Sequence, residues 1–206
     1  MEKKRLDTRT LTGMALLTAV VVILQLLGAF VRFGPFSISL VLIPIVVGAA
    51  LYGAAAGAWF GFVFGMVVLL SGDAAAFLVV NPLGTILVVL LKGALAGLCA
   101  GLVYKALSRR DKKISLPSGD GKQKSVDLAV IAAAVICPVV NTGIFLLGCL
   151  VFFLPTISEW AAAMGFENVG RYMIFGLVGG NFLFELLFNI ILSPVIVRLI
   201  KVGRNH

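Results

Sequence analysis

Charge is what this chain has least of. Of its 206 residues only 13% are Asp, Glu, Lys or Arg, about half the share found in a soluble domain, which excludes an ordinary water-soluble globule. Histidine is scarcer still, with one residue, His206. A lone terminal histidine excludes His-centred acid–base pairs and histidine metal centres, and no convincing Ser/Lys or Cys/His pair replaces them. Neither enzymatic activity nor a bound metal or cofactor is expected. The three cysteines, Cys99, Cys137 and Cys149, are odd in number and lie in apolar runs without metal-ligand spacing, so they read as small buried hydrophobes. A phosphate-binding loop is missing too. Gly119-Asp120-Gly121-Lys122 lacks the leading glycine, the Ser/Thr after lysine and a flanking strand, so no nucleotide site is expected. The basic N-terminal start leads into an apolar run too long for a signal peptide and without a clear cleavage site, and it reads as a first membrane span.

What the chain has is apolar length. Hydrophobic residues make up 61%, in six runs at about 11–30, 38–54, 56–71, 83–107, 126–154 and 171–200. The expected fold is an all-α integral membrane protein, a single transmembrane domain over 1–206 with six helices in one bundle. The one clearly hydrophilic stretch, 108–125, reads as a solvated linker. Net charge is +8, and its distribution is informative. All but Arg32, Lys92 and Arg171 of the 17 basic residues fall before the first run, in or beside the linker, or at the C-terminal end. Clusters separated by even numbers of spans follow the positive-inside rule and predict cytoplasmic termini and linker. That pattern argues for a bilayer and against nucleic acid as the partner of the positive charge.

Polar residues inside the runs are few, and each costs several kcal/mol unless paired. Lys92 lies about 14 Å along its helix from Leu83 at 1.5 Å per residue, too deep to snorkel out easily, so it is expected to face a cavity. Asn181, Glu185 and Asn189 recur at i, i+4 and i+8 and share one helix face. Three readings of Lys92 and Glu185 stand open: a structural ion pair, a shared ligand site, or a role in conformational gating. Pro138 and Asn141-Thr142 are expected to interrupt the fifth run, and Gln25 lies near the outer end of the first; the amides of Asn141 and Gln25 either join helices or line a site. Asn81 and Asp73 bracket the second outer loop, with Asp73 read as solvated. The first outer loop, Phe30 to Ser39, carries Phe33 and Phe36, as belt residues or as part of a lid. Gly57, Gly61 and Gly65 repeat every four residues, as do Gly93, Gly97 and Gly101, and the two ladders are expected to meet. Ala15 and Ala19 form a small-residue pair on the first run, for packing within the chain or for docking a separate subunit. Pro44 is expected to bend the second run.

These features resemble the substrate-binding S components of energy-coupling factor (ECF) transporters along the whole chain. Ala15-Leu-Leu-Thr-Ala19 matches the small-xxx-small motif that the family uses to contact its coupling subunit. Ser39-Leu-Val-Leu-Ile-Pro44-Ile-Val-Val-Gly48, followed by Gly57-Ala-Trp-Phe-Gly61-Phe-Val-Phe-Gly65, is similar to its helix 2 and 3 pattern. Lys92 before Gly-Ala-Leu-Ala-Gly, with Asn141-Thr142, looks most like the pantothenate-type subgroup, in which the helix 4 base is usually arginine. The resemblance implies a high-affinity vitamin-binding subunit of an importer in a prokaryotic plasma membrane. An anionic vitamin such as pantothenate would bind at Lys92, with Asn141, Asn181, Glu185, Gln25 and Asn81 as polar contacts and phenylalanines, Phe33 and Phe36 among them, as walls. Loops Phe30–Ser39 and Ala74–Pro82 would close over it. Docking would use the Ala15/Ala19 face and a membrane coupling subunit, and two cytoplasmic ATPases would spend the ATP. The alternatives are folate or riboflavin in the same role, an autonomous transporter in which Glu185 carries protons, or an accessory membrane protein.

Overall fold

The computed structural model describes residues 8–30, 32–33, 36–37, 40–108, 113–116 and 124–205, and side chains over 8–28, 40–108 and 128–200. Helices dominate. The first is α1 (Thr8–Phe30), followed by the two-residue strands β1 (Arg32–Phe33) and β2 (Phe36–Ser37). Then come α2 (Leu42–Tyr52), α3 (Ala54–Leu70), the short α4 (Ala75–Val80) and the long α5 (Pro82–Ser108). Strands β3 (Lys113–Leu116) and β4 (Lys124–Asp127) precede α6 (Leu128–Phe152), α7 (Leu154–Ala163) and α8 (Val169–Arg171). A π-helical segment, Tyr172–Val178, leads into α9 (Gly179–Ile191) and α10 (Ser193–Asn205). The two antiparallel ladders, β1–β2 and β3–β4, are additions to the expected all-helical fold; the second, with Lys113 opposite Asp127 and Leu116 opposite Lys124, occupies part of the expected linker.

Among the described residues, four stretches are long and apolar enough to cross a bilayer: Thr8–Gly28, Pro82–Ser108, Leu128–Phe152 and Val169–Ile191. Helix α2 has 11 residues and α3 has 17, so at 1.5 Å each they reach about 17 and 26 Å against a hydrocarbon core of about 30 Å. Helix α2 has little need of lipid contact, because it is enclosed by protein. Leu42 and Ile45 are fully buried, as are Val46 and Val47 nearly so. Pro44 does not bend it. The helix begins at Leu42, which puts Pro44 in the first turn, where a missing N–H breaks no intrahelical bond. Gly53 joins α2 to α3 in a single residue, at a φ of 95° that side chains disfavour.

The glycine ladders meet. A Cβ on Gly61 would strike the Gly93 carbonyl oxygen, and one on Gly57 would strike that of Gly97. Helices α3 and α5 therefore touch backbone to backbone, which only glycine allows. Beyond them, Ala96 and Ala100 of α5 pack with Ala133 and Ala134 of α6, all fully buried in the main core with Phe60, Val21 and Ile196. A second, aromatic core joins Phe153, Ile157, Ala161 and Tyr172 with Phe77, Phe145, Trp160 and Phe166.

Two expected runs differ in detail. Helix α6 continues through Pro138 without a break, as neighbouring helices allow in membrane proteins. The sixth run, expected as one helix over 171–200, is divided. Its first two turns are π-helical, and it stops at Leu192 before restarting at Ser193. Pro194 accounts for the stop: it has no N–H to donate back into α9, and it is tolerated in the first turn of the new helix.

Candidate functional site

A cavity of about 210 Å³ opens at the end of the bundle where α1, α3 and α6 finish and where α5 and α9 begin. Its walls are apolar. Phe64 and Val68 come from α3, Phe77 from α4, Val88 and Val89 from α5, and Phe145 from α6. Phe153, Leu177, Val178 and Phe182 complete them. Its polar groups are Gln25, Asp73, Thr85, Lys92, Asn141, Thr142, Asn181 and Glu185.

Lys92 projects from the first half of α5, one residue before Gly93, so the glycine contact with α3 sets its height and direction. Its Nζ lies 5.1 Å from the centroid of the Phe145 ring and 5.8 Å from that of Phe64, both within cation–π range. Glu185 is 2% exposed. Its Oε1 accepts a hydrogen bond from Asn181 Nδ2 at 3.1 Å, one turn earlier on α9. One turn later, Asn189 Nδ2 donates to the Glu185 backbone carbonyl at 2.8 Å. The polar stripe is thus knitted along its own helix, and only its upper members, Asn181 and Glu185, line the cavity. On the facing side, Gln25 Nε2 donates to Asp73 Oδ2 at 2.8 Å and ties α1 to the turn before α4.

Three amide oxygens around this space, Gln25 Oε1, Asn141 Oδ1 and Asn181 Oδ1, are buried with no hydrogen-bond donor among the described residues. A buried acceptor without a partner costs about 1–3 kcal/mol, and buried polar groups are nearly always satisfied. Asn141 and Gln25 are only 5% and 3% exposed. Their oxygens suit a ligand that brings its own O–H or N–H donors.

The structure thus gathers five of the residues singled out from sequence, Lys92, Asn141, Asn181, Glu185 and Gln25, around one cavity. It does not bring Asn81 there. Asn81 Oδ1 accepts from the Gly84 N–H at 3.0 Å and caps the start of α5. The side chains of Phe33 and Phe36 lie outside the described residues; their backbones pair in the β1–β2 ladder. Ala15 and Ala19 are exposed on α1 and take no part in the cavity. Asp73, read as solvated, is half-buried on the cavity wall.

Sequence reasoning missed most of the aromatic wall. Phe145 had a usable signal, since it lies at i+4 from Asn141 and so shares its helix face. Phe64 had another, lying between Gly61 and Gly65 in the ladder. Phe77 had none, because nothing in a short apolar loop says which residue turns inward.

Residues 9–200 match the family described as ECF transporter, substrate-specific component. No curated relative matches the chain. A cavity walled by phenylalanine, with the Lys92 cation and several amides, is the equipment that a small-molecule binding subunit needs, and the four long apolar helices found among the described residues are those of a multi-pass membrane protein. This chain belongs to the substrate-specific components of energy-coupling factor transporters.

Proposed function

We propose that the protein captures an anionic vitamin, pantothenate in the first instance, from outside a prokaryotic cell for an ECF importer in the plasma membrane. The observation that carries this reading is the ammonium of Lys92 in a cavity with three buried amide oxygens. A carboxylate satisfies the lysine, and hydroxyl and amide donors satisfy Gln25, Asn141 and Asn181. Pantothenate has one carboxylate, hydroxyls and an amide, and its remaining apolar surface suits the phenylalanine walls. Size supports the same choice. The cavity, at about 210 Å³, is below the 300–1,000 Å³ usual for drug-sized ligands, which favours a compact acid over folate or riboflavin.

In this reading the chain crosses six times, through α1, α2, α3, α5, α6 and the run from the π segment to α10, with both termini cytoplasmic. The basic clusters support that orientation, and it puts the cavity on the outer side. The exposed Ala15 and Ala19 on α1 form the face for a membrane coupling subunit, and two cytoplasmic ATPases of the complex supply the energy. In this reading the chain itself binds neither ATP nor a cofactor.

The test is titration of the purified protein with pantothenate and with its neutral primary amide. Lys92→Gln is expected to weaken binding of the acid by tenfold or more, the equivalent of at least about 1.4 kcal/mol, and to change binding of the amide much less. Equal losses for both ligands would show that Lys92 is structural and sink the proposal.

A further inference from the structure

Lysine is an awkward anchor for a carboxylate. Its ammonium is a point charge on a flexible four-carbon stem, whereas arginine presents a rigid fork. In this cavity it also shares the walls with Glu185 and Asp73, either of which would attract it. Something has to hold Nζ where an incoming anion can meet it without neutralising its charge beforehand.

Aromatic faces do that, because they attract a cation through the ring quadrupole but carry no net charge. We propose that Phe145 is the positioning residue for Lys92, with Phe64 as the second face, and that this aromatic seat sets the preference of the site for acids over neutral analogues. The inference rests on the reading of Lys92 as the anion anchor given above. Three features of the structure support it. The ammonium lies 5.1 Å from the Phe145 centroid and 5.8 Å from that of Phe64. Phe64 is 2% exposed and belongs to the helix that touches α5 backbone to backbone, and its ring edge would lie 3.3 Å from a Cβ at Gly93, so it cannot drift. Phe145 is braced from the other side by Phe77, edge to face at 5.4 Å and 84°, and Phe77 is itself held by Phe153 at 5.1 Å and Trp160 at 5.5 Å. The seat is therefore rigid although the lysine is not, and the affinity it lends comes from preorganisation.

The experiment measures the ratio of affinities for pantothenate and its primary amide, which cancels the packing loss that both ligands share. Phe145→Leu is expected to lower that ratio about tenfold, in line with a desolvated cation–π contact. Phe145→Met, another ringless side chain of similar volume, should do the same, and Phe145→Tyr, which keeps the face, should largely preserve it. In a Lys92→Met background, Phe145→Leu should leave the ratio unchanged, because the two residues act through one contact. If Phe145→Leu and Phe145→Met weaken both ligands equally, Phe145 is only a wall and the inference is wrong while the anion reading survives. If Lys92→Met itself leaves the ratio unaltered, the reading beneath it falls and the inference falls with it.

Discussion

Gly61→Ala adds one methyl group where two helices have left no room for it. The new Cβ would lie 2.5 Å from the carbonyl carbon of Gly93 and 3.1 Å from the amide nitrogen of Ala94, and closer still to the Gly93 oxygen. These are backbone atoms in the middle of a long helix, so no rotamer change relieves the contact. Restoring an ordinary carbon–carbon separation of about 3.5 Å requires α3 and α5 to part by at least about 1 Å, and the nearer oxygen demands more. Overpacking of this kind costs about 1–3 kcal/mol, and in a chain of this size each kcal/mol moves the midpoint of thermal unfolding by about 2–4 °C. The expected result is a fall of about 2–12 °C, followed in purified protein by a thermal scan. Gly143→Ala is the matched control, since a Cβ there meets nothing within 4 Å. It should gain about 0.5–1 kcal/mol from helix propensity, so its midpoint should rise. The two substitutions are chemically identical and are expected to have opposite signs. If both shift the midpoint the same way and by the same amount, the backbone contact between α3 and α5 is not what holds this bundle. Because Lys92 sits beside Gly93, Gly61→Ala should also reduce affinity for an acidic ligand, and Gly143→Ala should not.

Asn141→Leu should separate stability from binding: it replaces a buried oxygen lacking a partner with an apolar group of similar size, so the ligand-free protein should gain about 1–3 kcal/mol, read in the same scan, while titration should show pantothenate binding at least tenfold weaker. Asn81→Ala should do the reverse, losing the α5 cap and about 1 kcal/mol of stability with little change in affinity, because its side chain is spent on Gly84.

The accuracy of the sequence reading follows how local each signal is. Lys92 and Glu185 were visible because an ion in an apolar run is costly wherever the run goes. The two ladders were visible because glycine at every fourth position can only mean close approach on one face. Asn81 misled for a related reason. An Asn directly before Pro-Leu-Gly carries a helix-cap signal, and the cap competes with a ligand for the same oxygen. Pro44 and Pro138 misled because proline's cost depends on its place in the helix and on its neighbours, and a sequence shows neither. Pro194, by contrast, was an overlooked stop signal in the run read as one helix.

Composition and periodicity alone therefore determined that this chain is a helical membrane protein, where its basic clusters lie, and which few polar residues its membrane region contains, because burying a charge or an amide in hydrocarbon is expensive in any fold. Only the tertiary structure decided which of those residues meet. It brought Gln25, Lys92, Asn141, Asn181 and Glu185 from four helices to one cavity, left Asn81 out of it, and drew in Phe64, Phe77 and Phe145. The physical reason is that an aromatic ring is favourable to bury almost anywhere, so helix spacing could place Phe145 on the Asn141 face and Phe64 in the glycine ladder but could not name the cation they would face.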